Sequence, residues 1–152
     1  MSECTLIDLQ ESLFEMLIDF DNVCMRNGLN YSLAFGTLLG AIRHKGFIPW
    51  DDDVDIIMLR DDFRKLCKLP SEEFGEAYFF QTKDTDPLYP YNIARLRKNN
   101  SAMIYTQWVN AGFHQGIYID IYPVDVIPNK WRKFFRQRLG ILFYTIIRHT
   151  RN

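Results

Sequence analysis

Three carboxylates alternate along Asp51-Asp52-Asp53-Val54-Asp55-Ile56, and no other stretch restricts the possible folds of this chain so tightly. Side chains two apart on a strand share a face, so Asp51, Asp53 and Asp55 point one way and Asp52, Val54 and Ile56 the other. Neighbours on such a face lie about 6.7 Å apart. At an effective dielectric near 20 they repel by roughly 2.5 kcal/mol. A fold gains nothing by gathering them without a compensating cation. Oxygen donors of this kind suit hard divalent ions, Mg²⁺ above all, with Mn²⁺ as the alternative. The plain alternative is a solvated acidic turn before a strand. An EF-hand loop also begins D-x-D-x-D, but it needs glycine at its sixth position, where Ile56 stands. A D-x-D glycosyltransferase site usually follows a nucleotide-binding βαβ unit, and only one strand is expected before Asp51.

The charge distribution sharpens this picture. The 152 residues carry a net charge of −1, which conceals an asymmetry. Residues 128–152 hold seven Lys/Arg and no Asp/Glu, leaving eleven basic and nineteen acidic residues before them, a balance of −8. Six of those nineteen acids fall between Asp51 and Asp62, so the chain has one acidic focus and one basic tail. A uniformly basic nucleic-acid binder is excluded. The length suits one domain, at about 100–200 residues per domain. We expect a core over residues 1–127 and a basic amphipathic helix over residues 128–152. Hydrophobic content of 47% with 24% charge fits a globular chain. The longest nearly apolar run, Leu139 to Ile147, is far short of the roughly 20 residues that span a bilayer. Ser2-Glu3-Cys4 does not read as a signal peptide. Cys4, Cys24 and Cys67 form no C-x-x-C pair. These features favour the reducing cytoplasm.

Apolar periodicity predicts a helix from Leu6 to Met25, stopped at Asn27-Gly28. A strand over Tyr31–Phe35 and a short helix over Leu38–Arg43 follow. Asp53–Met58 reads as a strand, and Asp61/Asp62 open a helix to Leu69. Further strands are expected at Ala77–Gln81, Ile93–Arg97, Ala102–Tyr105 and Gly116–Tyr122, and a helix over Asn129–Arg151. The fold class is α+β, with helices flanking a mixed or mostly antiparallel sheet.

Two further constellations accompany the acidic run. Asp120 lies between Ile119 and Ile121 in an apolar strand, where a carboxylate is costly unless paired or metal-bound. It is a candidate third ligand from a neighbouring strand, or else a strand-end residue facing solvent. Phe35-Gly36-Thr37 leads a strand through a tight turn into a helix whose first N–H groups offer an anion site, the plain alternative being a turn that merely connects the two elements.

The run Gly36 to Ile56, GTLLGAIRHKGFIPWDDDVDI, resembles the signature of the LicD family of phosphocholine transferases, related to the fukutin-type phosphoribitol transferases. His114 to Asp125, HQGIYIDIYPVD, is similar to the family's second block, and Tyr91 to Arg97 to the segment between. The resemblance implies a nucleotidyltransferase-like core. Carried over by position, the turn is Gly36-Thr37, the acidic pair is Asp53 and Asp55, and the third acid is Asp120. Alternation leaves Asp51 as a further ligand or supporting group.

The implied reaction moves a phospho-alcohol from a CDP-linked donor to a hydroxyl of a cell-surface glycan or its lipid-linked precursor, releasing CMP. CDP-choline is the default donor, with CDP-ribitol and CDP-glycerol as alternatives. Mg²⁺ on Asp53, Asp55 and Asp120 would bridge the diphosphate, and Asp120 or Asp51 would take the acceptor's proton. Arg43 and Lys45, and Arg95 and Arg97 on one strand face, are candidate phosphate contacts, with a solvated edge as the alternative. His44 and His114 are read as phosphate contacts or as partners of backbone groups, the second being commoner. Trp50, Tyr89, Tyr91 and Trp108 are aromatic candidates for a cytosine ring or a choline cation. Family members are usually longer than this chain. That leaves a truncated chain, a compact member, or a basic helix touching the inner membrane surface as competing readings. A nucleotide- or metal-binding domain without turnover is the non-enzyme alternative.

Overall fold

The structure is a computed structural model that describes residues 5–127. The first helix, α1 (Leu6–Arg26), begins with a reciprocal cap in which Asp8 N–H donates to Thr5 Oγ1 and Thr5 N–H to Asp8 Oδ2. Leu13, Met16, Phe20, Val23 and Cys24 recur every three or four residues and are buried. The helix ends at Asn27, and Gly28 follows at φ 61°, in the left-handed region that glycine enters without steric cost.

A two-residue strand, β1 (Ser32–Leu33), leads into α2 (Phe35–Arg43). This helix begins three residues before the expected Leu38, so Gly36 and Thr37 form its first turn. Then come β2 (Asp55–Leu59), α3 (Arg60–Leu66), β3 (Tyr78–Gln81), β4 (Ala94–Lys98) and β5 (Tyr118–Val124). Among the described residues these strands form one sheet in the order β1-β2-β5-β4-β3. Only β2 and β5 run parallel, and the other neighbours are antiparallel. The mixed sheet with flanking helices matches the expected α+β class.

Two expectations fail in the described region. Ala102–Tyr105 forms no strand; the segment is irregular and runs into a 3-10 turn at Thr106–Trp108. Ala102, Ile104 and Tyr105 are exposed, so this short apolar run packs no face against the sheet. The acidic strand starts at Asp55 rather than Asp53, and residues 51–54 are irregular. The helix expected over Asn129–Arg151 lies outside the described residues. No described helix is long and apolar enough to cross a membrane.

Strand alternation gives the sheet two unlike faces. Ile56, Met58, Phe80, Ala94, Leu96, Ile119 and Ile121 pack against α1 and form the core. The opposite face carries Asp55, Asp120, Arg95, Arg97, Gln81, Tyr118 and Tyr122, and it holds the candidate site.

Candidate active site on the polar sheet face

The parallel register of β2 and β5 sets Asp55 directly beside Asp120. Asp120 N–H donates to Val54 O at 2.9 Å, which fixes this register at the start of β2. Asp55 N–H donates to Thr37 Oγ1 at 2.9 Å, so the Thr37 hydroxyl ties the first turn of α2 to the same point. Asp53 lies two residues before the strand. Burial and its neighbours Asp51, Asp52 and Asp120 push its carboxyl above the usual range. Burial first, then Asp53 and Asp120, push the Asp55 carboxyl up to about 6. The carboxylates therefore press on one another, as alternation anticipated for Asp53 and Asp55.

Asp51 is placed differently from the expectation. It sits in a turn closed by Asp51 N–H to Ile48 O, with its carbonyl held by Gln10 Nε2 at 2.7 Å. Its Oδ2 is buried without a hydrogen-bond partner. A Cβ on Gly36 would lie 2.8 Å from that oxygen, so a larger residue there would displace the Asp51 carboxylate. Asp51 thus seals against the helix turn instead of sharing a strand face with Asp53 and Asp55.

The arginines of β4 are not on a solvated edge. Arg95 and Asp120 are cross-strand partners, and Arg95 grips the carboxylate with Nε to Oδ1 at 2.5 Å and Nη2 to Oδ2 at 3.3 Å. The guanidinium lies 3.9 Å from the Tyr118 ring centroid, 5.0 Å from that of Tyr91 and 5.6 Å from that of Tyr89. Arg97 is 2% exposed. It donates to Gln81 Oε1 and Gly116 O, both at 2.7 Å, and also lies over Tyr118. Burial, then the neighbouring Arg95, push its guanidinium down to about 10. Arg97 is therefore enclosed, and Arg95 is committed to Asp120.

Arg43 and Lys45 lie at and just beyond the other end of α2. Gly36 to Arg43 spans about 10 Å of helix rise. Lys45 lines an apolar groove with Phe14, Phe47, Thr37 and Val54, and neither cation is among the charges that act on Asp53 or Asp55. His114 accepts from Gly116 N–H and stacks on Phe79. Tyr89 is buried at 1% exposure and Trp108 packs against Tyr91 and Phe113, so both serve the aromatic cluster beside Arg95. Trp50 is exposed.

A cavity of about 630 Å³ opens over the Asp120–Arg95 pair, walled by Pro90, Tyr91, Asn92 and Ile93, with Tyr122 and Lys83 completing its lining. Its size is that of a small-molecule site. Sequence reading missed Tyr122 and Lys83. Alternation from Asp120 would have placed Tyr122 on the same face, where its hydroxyl reaches Asp120 Oδ2 at 3.4 Å. Lys83 lies in a loop and has no periodic signal.

Among the described residues, no three or more His, Cys, Asp or Glu side chains already enclose an ion. Asp53, Asp55 and Asp120 nevertheless offer hard oxygens that repel each other, and the Asp51 carboxylate beside them has an oxygen without a donor. Mg²⁺ is commonly held by one or two carboxylates plus substrate phosphates, rather than by an all-protein cage. The donor set fits an ion that arrives with a diphosphate.

The family model described as LicD/FKTN/FKRP, nucleotidyltransferase domain, matches residues 28–144. Lipopolysaccharide cholinephosphotransferase LicD of Haemophilus influenzae is 37% identical over 134 residues, covering 86% of this chain and 48% of the relative. The Rickettsia prowazekii protein RP689, itself uncharacterized, is 43% identical over 105 residues, covering 62% of this chain and 37% of the relative. Human ribitol 5-phosphate transferase FKRP is 27% identical over 146 residues, covering 74% of this chain and 28% of the relative. The chain thus spans about half or less of the length of these relatives.

Proposed function

The chain belongs to the LicD/FKTN/FKRP nucleotidyltransferase family, and on that premise we propose that it is a phospho-alcohol transferase. The donor we assign is CDP-choline, the acceptor a hydroxyl of a cell-surface glycan or its lipid-linked precursor, and the released product CMP. The observation that carries this reading is the in-register pairing of Asp55 with Asp120 at the edge of the 630 Å³ cavity, with Asp53 beside them.

The reaction exchanges the phosphoanhydride bond of the donor for a new phosphoester bond to the acceptor, giving a phosphodiester. The acceptor oxygen bonds to the phosphorus bearing the alcohol. The bridging P–O bond to CMP breaks, and its electron pair leaves on the CMP phosphate. Such transfers depend on positioning and charge neutralisation more than on covalent chemistry. Asp53, Asp55 and Asp120 would hold Mg²⁺, which when bound neutralises the charge of the diphosphate. Thr37 fixes the backbone at Asp55, and Arg95 fixes the plane of the Asp120 carboxylate. The acceptor's proton passes to a carboxylate of the cluster. Asp120 lines the cavity but accepts from Arg95 on both oxygens, whereas the donor-free oxygen of Asp51 is buried against Gly36, so the geometry singles out neither as the base.

The test is CMP release from CDP-choline with Mg²⁺, comparing the chain with its Asp53→Ala variant. Release that depends on Asp53 is expected. No release from any CDP-alcohol would sink turnover by this chain and leave a binding domain. CDP-ribitol is the second donor to try, because the human relative is named for ribitol 5-phosphate transfer.

A further inference from the structure

The cavity beside the carboxylates contains a charge imbalance that the pairing of Arg95 does not resolve. A nucleotide phosphate entering it meets Asp120 on the floor, with Asp55 next to it on the adjacent strand. Of the two cations lining the cavity, Arg95 is already neutralised by Asp120 and lies over Tyr118. The other is Lys83. It is exposed and has no hydrogen-bond or ion-pair partner among the described residues.

The loop that carries Lys83 is braced, and its braces leave Lys83 free. Thr82 N–H donates to Thr85 Oγ1 at 2.8 Å, Thr85 Oγ1 donates to Phe80 O at 2.8 Å, and Asp86 N–H donates to Thr82 O at 2.9 Å. Asp86 is one of the carboxylates nearest in the chain, and its Oδ2 accepts from Gln81 Nε2 and from His114 N–H, each at 2.9 Å. It is therefore turned toward the sheet and forms no ion pair with Lys83. The other, Asp84, forms none with it either. A lysine on a braced loop lining a cavity, with Asp86 engaged by Gln81 and His114 and no ion pair to Asp84, is an available point charge on a long stem.

We propose that Lys83 is the cation that receives the outgoing nucleotide, pairing with the phosphate of CMP as its bridging oxygen takes up charge. This rests on the CDP-donor reading above and deepens it by naming the residue on the leaving-group side. Asp53, Asp55 and Asp120, with the ion they would hold, would face the transferring phosphate, and Lys83 the leaving one.

The experiment is a charge series at position 83, with CMP affinity in Mg²⁺ read by titration calorimetry and kcat read from CMP release. Lys83→Gln is expected to weaken CMP binding about tenfold or more, the scale of a hydrogen bond to a charged group. Lys83→Glu should be weaker still, and Lys83→Arg should keep most of the wild-type affinity. Each loss should shrink as salt rises. Lys83 is exposed, so melting temperatures should stay together across the series. CMP affinity and kcat unchanged in Lys83→Gln would overturn the role of Lys83 and leave the donor reading standing. Equal losses in Lys83→Gln and Lys83→Arg would show that loop shape rather than charge matters, and would also overturn it. A wild-type chain that binds neither CMP nor any CDP-alcohol would overturn both.

Discussion

Replacing Arg95 by methionine keeps an unbranched stem against Tyr118 but deletes the charge facing Asp120. The size of the effect follows from the register. Adjacent strands lie about 4.8 Å apart. Two carboxylates paired across them repel by about 3 kcal/mol at an effective dielectric of 20. In the native protein Arg95 offsets this by gripping Asp120 with two hydrogen bonds, and both residues are more than nine-tenths buried. Removing one partner of a buried pair commonly costs about 3–5 kcal/mol. Part of that loss is returned here, because Arg97 is relieved of a neighbouring cation. We therefore expect Arg95→Met to destabilise the metal-free protein by about 3 kcal/mol at pH 7. In an Asp120→Asn background the same change should cost about 1 kcal/mol, since no buried carboxylate is left uncompensated. Urea unfolding of the wild type, both single variants and the double variant in EDTA measures the coupling, expected near 2 kcal/mol. Additivity within about 0.5 kcal/mol would refute the argument and show that Arg95 acts through packing on its tyrosines.

Two other predictions concern the same corner of the sheet. Thr37→Val should cost about 1–3 kcal/mol by leaving the Asp55 N–H without its acceptor, whereas Thr37→Ser should keep most of the stability; thermal unfolding compares them. The Asp55 carboxyl is raised from the model-peptide value of 3.8 to about 6, so between these limits the folded protein binds more protons than the unfolded chain. Its contribution to stability in EDTA should therefore fall as pH rises from 4 to 6, and Asp55→Asn should flatten that part of the melting-temperature profile while abolishing CMP release.

How far the sequence revealed the site depends on which part of it repeats. The two-residue period of a strand put Asp53 and Asp55 together, and Asp120 in the middle of an apolar strand pointed to a costly and paired carboxylate. Asp53 also precedes the strand and is tied to Asp55 by electrostatic closeness, whereas Asp51 sits in a turn against Gly36, and no periodicity reports where a strand begins. Arg95 and Arg97 were rightly put on one face, but their burial was not legible. It depends on Tyr118 and Gln81 from neighbouring strands and on aromatic residues distant in sequence. Lys83 lies in a loop with no period at all. Its position follows only from the fold of residues 82–93 around the cavity.

The aromatic residues beside the site bear on donor choice. A ring cluster next to a phosphotransfer centre invites a quaternary ammonium group, as in aromatic cages that hold choline. Here Tyr89, Tyr91 and Tyr118 already surround the guanidinium of Arg95, and that guanidinium is bonded to Asp120. A choline head could enter this box only by expelling Arg95. Expulsion would leave Asp120 uncompensated beside Asp55, at the cost estimated for Arg95→Met. The box therefore works for the carboxylate and not for the alcohol. On the proposed reading the nucleotide would enter where Lys83 and Tyr91 line the cavity, and choice among choline, ribitol and glycerol would be made by groups outside the Tyr89–Tyr91–Tyr118 cluster. If donors are compared in the Tyr91→Leu variant, all three CDP-alcohols should suffer alike. A loss confined to CDP-choline would show that the cluster reads the ammonium after all.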